Sequence, residues 1–155
     1  MKNSLILFFT LVLTISLNAQ TIDDQFFAKV DRFFKENVTD GRVDYVGIKE
    51  GNSLKPLMFE ISQADVSKSD DKTKQAFLIN AYNLHVIKKI VDSYPIQSVA
   101  ENSGFFSKDK IVVAKVMMTL NQLENERLIG KYHDPRYHFV LVCGCLLYTS
   151  DAADE

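Results

Sequence analysis

The 155-residue sequence has little charge of either sign in excess, with a formal net charge of −2, and it holds only two cysteines. A near-neutral balance gives no electrostatic footprint for nucleic acid or for an anionic membrane surface. Thiol chemistry or a disulfide must rest on very few positions. His, Cys, Asp and Glu do not recur at the spacings that hold metals, and no Gly-rich loop is present to cradle a phosphate. No metal or other cofactor is therefore expected. Internal repeats and low-complexity tracts are also lacking. These absences leave the identity of any partner open.

What is present begins at the N-terminus. Lys2 supplies a positive n-region, and Leu5 to Leu17 form an apolar h-region broken only by Thr10, Thr14 and Ser16. Leu17-Asn18-Ala19 offers a small residue for cleavage before Gln20. A membrane-spanning helix needs roughly 20 apolar residues, and this run has about 13. No Cys follows it to accept a lipid. Residues 1–19 therefore read as a cleavable signal peptide. The expectation is an exported protein, periplasmic or extracellular, with no stable membrane span after cleavage.

The other end reads differently. Cys145 to Glu155 match, residue for residue in one frame, the translation of a transposase-type sequencing adaptor. On that reading the tail is non-native, and the domain occupies residues 20–144 and is truncated at its C-terminus. Taking Lys2 from the 18 basic residues and Asp151, Asp154 and Glu155 from the 20 acidic ones leaves 17 of each. Cys143 becomes the single cysteine, an unpaired thiol unless a partner lies farther along the native chain.

Within the domain, Asp23 or Asp24 can cap a helix whose Phe26, Phe27, Val30, Phe33 and Phe34 form one apolar stripe. Asp40-Gly41 ends it, and Val43 to Val46 read as a short extended segment. A second helix spans about Ser53 to Ala64 and buries Leu54, Leu57, Met58 and Ile61. The third, from Asp71 to Ser93, lacks Gly and Pro and stops at Tyr94-Pro95. At about 100° per residue, Phe77, Ile79, Leu84, Val86, Ile87, Ile90 and Val91 share one arc. Lys74, His85, Lys88, Lys89 and Asp92 lie opposite, which predicts a solvated His85, whereas Asn80 and Asn83 fall inside the apolar arc. Ile111 to Ala114 read as a strand. Thr119 and Gln122 form a capping-box pattern, with Leu120, Leu123 and Leu128 facing inward. Asp134-Pro135-Arg136 is a turn, and the apolar, β-branched run from His138 to Cys143 reads as a buried strand.

The candidate site residues are Asn80, Asn83, His138 and Cys143. A buried carboxamide is costly unless hydrogen-bonded, so two of them near one turn apart can tether a loop or orient a catalytic group. Cys143 stands at a strand end before Gly144, where the glycine lets the next amide approach a substrate. A nucleophilic thiol also needs a base and a lowered pKa. His138 is the nearest candidate base, but a spacing of five places it on the opposite face of a regular strand. The alternative is a packed Cys and a hydrogen-bonded His. Glu124, Arg127 and Arg136 can form an ion-pair group near the turn, or one solvated salt bridge of small worth.

Several motifs occur together in a fixed order. They are Asp44-Tyr45, Ala76-Phe77-Leu78-Ile79-Asn80-Ala81-Tyr82-Asn83, Tyr94-Pro95, Ser98-Val99 and Gly104-Phe105-Phe106. Thr119-Leu120 with Leu123-Glu124, Asp134-Pro135-Arg136, His138-Phe139 and Val142-Cys143-Gly144 follow. In this combination, residues 42–144 resemble the domain of unknown function 547 family. The resemblance implies an exported bacterial or plant domain without a settled activity. The family usually places a Gly where Lys115 stands here, and commonly an Arg where Ile129 stands. It also continues after Cys-Gly with a second Cys and a Pro, which this chain lacks.

The expected fold is a mixed α/β (α+β), helix-rich single domain. The first functional reading is an exported domain whose site gathers Asn80, Asn83, His138 and Cys143. As an enzyme, that site implies a thiol-dependent hydrolase or acyl transferase, with Cys143 as nucleophile, His138 as base and an Asn as orienter. The second reading is a non-catalytic binding or scaffold module of the envelope, with Cys143 in a structural disulfide.

Overall fold

A computed structural model describes residues 20–96, 99 and 103–142. Strand β1 (Gln20–Thr21) precedes helix α1 (Asp24–Asn37). The Asp23 carboxylate caps α1, accepting from the amides of Gln25 at 3.0 Å and Phe26 at 3.2 Å. Phe26, Val30 and Phe33 are its buried positions, as the stripe predicts. A two-residue turn at Asp40 and Gly41 then joins β2 (Val38–Thr39) to β3 (Arg42–Val43). Both turn residues have positive φ, 50° and 77°, the geometry that suits the twist of a tight hairpin.

Asp44 starts a helix where the sequence suggests extended chain. Its side chain accepts from the Gly47 amide at 2.8 Å, so Tyr45 and Val46 belong to α2 (Tyr45–Glu50). Helix α3 (Leu54–Gln63) buries Leu54, Leu57 and Ile61. It runs into β4 (Ala64–Asp65), which pairs in parallel with β1 through Gln20–Ala64 and Thr21–Asp65.

Helix α4 spans Asp71–Ser93, the bounds its sequence pattern predicts, with Asp70 as its N-cap. It is central, packing against α2, α3, the β5–β6 hairpin and the segment after Thr119. Phe77, Ala81, Leu84 and Val86 are fully buried on it, and the Phe77 ring lies 5.5 Å from that of Phe26.

The hairpin of β5 (Ile111–Val113) and β6 (Val116–Met118) covers one side of α4. Ala114 and Lys115 form its turn with φ of 50° and 64°. The turn amides donate to α3, Ala114 to the Ile61 carbonyl and Lys115 to that of Ser62, both at 2.9 Å. Thr119 and Gln122 form the reciprocal capping box ahead of α5 (Leu120–Gln122).

From Leu123 to Ile129 the helix widens to a π-helix. An i→i+5 turn brings Leu123 and Leu128 onto one face, and both are completely buried. The same winding brings the Gly130 amide to the Asn125 carbonyl. A Cβ at Gly130 would lie 2.6 Å from that oxygen, so the position has no room for a side chain. Helix α6 (Gly130–Tyr132) ends at His133, whose φ is 53°. The described residues form one mixed α/β, helix-rich domain around α4.

The chain from His138 to Cys143 is not a buried strand over its described part. Residues Tyr137–Val140 make a helical turn, α7, and Leu141 follows in extended conformation. Phe139 is 89 % exposed, so the apolar character of the run does not reflect burial. The Val140 carbonyl and the Val142 amide, groups a neighbouring strand would use, bond instead to Asn83.

Candidate functional site

The segment from Tyr137 to Val142 is fastened to α4 at two points. The Tyr137 hydroxyl donates to Gln75 Oε1 at 2.5 Å, near the start of the helix. Two turns farther on, Asn83 Nδ2 donates to the Val140 carbonyl and Asn83 Oδ1 accepts from the Val142 amide, each at 3.0 Å. One carboxamide thus supplies a donor and an acceptor to backbone groups two residues apart. This is the loop-tethering role open to Asn83 from the sequence. Asn83 is half-buried rather than fully buried.

The other three candidates do not converge on it. Asn80, also half-buried, donates to the Ala76 carbonyl of its own helix at 2.9 Å. His138 is exposed on the short α7 turn, and its side chain has no hydrogen bond or ion pair among the described residues. Cys143 lies outside the described residues. Neither Asn bonds to His138.

Glu124, Arg127 and Arg136 do not form an ion-pair group. Glu124 accepts from the Tyr82 hydroxyl at 3.1 Å. Burial, followed by the charge of Glu124, raises the Tyr82 pKa above its ordinary value. Arg136 closes on Asp134 two residues away, with Nη2 to Oδ2 at 2.6 Å on the surface. This interaction holds the Asp134 carboxyl at about 2. Arg127 makes no ion pair among the described residues.

His85 is buried, contrary to its solvated placement on the helical wheel, with 9 % exposure. The wheel assigns one face of α4 to water, but the β5–β6 hairpin packs there and brings Val112 beside His85. Burial, with smaller contributions from Lys88 and Lys89, lowers the His85 pKa to about 4, so the ring is neutral at pH 7. Its Nε2 atom is buried and has no hydrogen-bond partner among the described residues. Nearby, Lys89 donates to the Phe105 carbonyl, pairs with Asp109 at 3.0 Å and lies 4.3 Å from the centre of the Phe105 ring.

A cavity of about 560 Å³ opens between α4, β4, the β5–β6 hairpin and the π-helix with α6. Leu78, Val113 and Met118 contribute apolar surface to it. Lys74, Lys115, Arg127 and Lys131 also line it, against Asp65 as the single acid among the described residues. Hydrogen bonds from Ser67, followed by Lys115 and Lys68, keep the Asp65 carboxyl below its ordinary range. Sequence reasoning does not group these cations, because they come from four separate elements. Lys115, standing where the resemblance implies glycine, is the one visible sign.

Among the described residues, no group of three or more His, Cys, Asp and Glu is placed to hold a metal ion. None of their helices is long and apolar enough to cross a membrane. Residues 66–149 match the model of a family described as "Protein of unknown function, DUF547". The match begins later than the resemblance seen in the sequence and extends to residue 149, into the tail read there as non-native. Nothing in the structure or the match supports the adaptor reading of that tail, which lies outside the described residues. No curated protein matches the chain, and no solved structure does.

Proposed function

The chain belongs to the DUF547 family of proteins of unknown function, and from that premise we propose that it is an exported, non-catalytic binding or scaffold module. In this reading Cys143 serves the fold, packed or disulfide-bonded, and is not a nucleophile. The observation that carries the proposal is the commitment of Asn83. Both ends of its carboxamide are taken by the backbone of Val140 and Val142, so it is not available to orient a catalytic histidine. His138, on an exposed helical turn, has no side-chain partner among the described residues to fix its tautomer or its direction. A thiol–imidazole pair needs both.

Export remains part of the proposal. It is supported by the signal-like segment of residues 1–19. Determining the N-terminus of the protein recovered from the periplasm or medium checks it. A chain starting at Gln20 is expected, and an intact Met1 in a cytosolic fraction would count against export.

The thiol distinguishes the module from an enzyme. In reduced protein carrying Cys145→Ser, the rate of Cys143 alkylation by iodoacetamide is measured against pH. The proposal expects a midpoint near the ordinary thiol value of about 8.5, unchanged by His138→Ala. A midpoint below about 7 that rises in His138→Ala identifies an activated thiol and overturns the non-catalytic reading.

A further inference from the structure

We propose that the cavity between α4, the β5–β6 hairpin and the π-helix binds a small amphipathic anion, with its charged head among Lys74, Lys115, Arg127 and Lys131 and its apolar body on Leu78, Val113 and Met118. The inference goes beyond the reading of Cys143 and does not depend on it.

Charge is the first support. The whole sequence has a formal net charge of −2, yet this one cavity gathers four cations and one acid. Lys74, Lys115 and Arg127 make no side-chain hydrogen bond or ion pair among the described residues. Lys131 reaches Asp71 at 3.9 Å on the surface and lies 4.7 Å from the centre of the Tyr132 ring, two contacts of little worth. Asp65, which also accepts from the Ser67 amide at 2.9 Å, offsets one of the four positive charges and leaves the group cationic. Cations held near one another without partners repel, and an anion relieves that repulsion. Arg127 adds a planar fork suited to a carboxylate or phosphate head.

The second support is the apolar surface. Val113 and Met118 belong to the core and present one side to the cavity, and Leu78 is half-buried beside them. A purely inorganic anion would leave this surface in contact with water. A cavity of about 560 Å³ also exceeds what a lone phosphate fills and falls in the range of small-molecule sites.

Preformation is the third. The hairpin turn that carries Lys115 is fixed by its two amide bonds to α3, and Arg127 lies on the π-helix between the buried Leu123 and Leu128. The walls therefore do not have to be ordered when a ligand enters, which reduces the entropic cost of binding.

Isothermal titration of the purified protein at low ionic strength with octanoate, octyl phosphate, octanol and inorganic phosphate tests the inference. One of the two amphipathic anions is expected to bind at a single site at least about tenfold more tightly than octanol or inorganic phosphate, as a charge-assisted contact and an apolar contact acting together require. Whichever of octanoate and octyl phosphate binds more tightly identifies the head group. In Lys74→Gln/Arg127→Gln, that affinity should fall about tenfold or more while octanol binding is unchanged. If that pair does not fold, Lys115→Gly serves: its affinity for the anion should fall about threefold or more with octanol binding unchanged, and an unchanged anion affinity would overturn the inference. Equal affinity for octanol and the anions, equal affinity for inorganic phosphate, or no binding of either amphipathic anion by the unmodified protein would overturn it.

Discussion

The amide of Val142 donates to the Oδ1 of Asn83 at 3.0 Å, across 59 positions of sequence. The same side chain returns a bond to the Val140 carbonyl, so Asn83 holds the two ends of a three-residue stretch. The relation ties the middle of the central helix to the chain that leads into Cys143. It also explains why a helix with a wide apolar arc carries an amide inside that arc.

Removing the amide should loosen that chain without dissolving the core. Asn83→Ala is expected to cost about 1–3 kcal/mol in urea unfolding, because two backbone groups lose their partner. Asn83→Asp keeps the acceptor for Val142 but loses the donor to Val140, and should lie between Ala and the unmodified protein. Equal stability of all three would show that the bonds hold nothing.

His85 sets a pH dependence. Its folded pKa of about 4 lies below the unfolded value of 6.5, so protons bind the unfolded chain more readily. Its contribution is therefore fully present above about pH 6.5 and declines as pH falls from there toward 4. Between pH 7 and pH 5 unfolding free energy should drop by about 2 kcal/mol on this account. His85→Met should flatten that decline. An unchanged slope in the variant would assign the effect to other groups.

Lys115 occupies a left-handed position at φ 64° in the β5–β6 turn. Most side chains are strained there and glycine is not. Lys115→Gly is expected to raise stability by about 0.5–1 kcal/mol, read as a higher urea midpoint at unchanged m-value. A lower midpoint would mean that the lysine side chain contributes more to the fold than its backbone conformation costs.

The most legible elements announced themselves by local chemistry. Helix α4 lacks Gly and Pro and ends before Tyr94-Pro95, and its bounds agree with the sequence pattern. Thr119 and Gln122 form the box that their spacing implies. What stayed hidden depends on distant partners. His85 is on the polar side of a helical wheel, but the wheel has no knowledge of the hairpin that packs there. The β-branched run after His138 has strand composition, yet its strand-forming groups at Val140 and Val142 are taken by Asn83. The π-helix left no mark because an α-helix also turns Leu120, Leu123 and Leu128 inward, and only the bond from the Gly130 amide to the Asn125 carbonyl shows the wider winding. The cavity cations belong to separate elements and converge only through the fold.

Asn83 thus seats the chain before Cys143 and makes no bond to His138. Hydrogen exchange at the Val142 amide, measured in the unmodified protein, Asn83→Ala and His138→Ala, tests it most directly. Protection is expected in the unmodified protein and in His138→Ala, and its loss is expected in Asn83→Ala alone. Loss of protection in His138→Ala, or its retention in Asn83→Ala, would contradict the account.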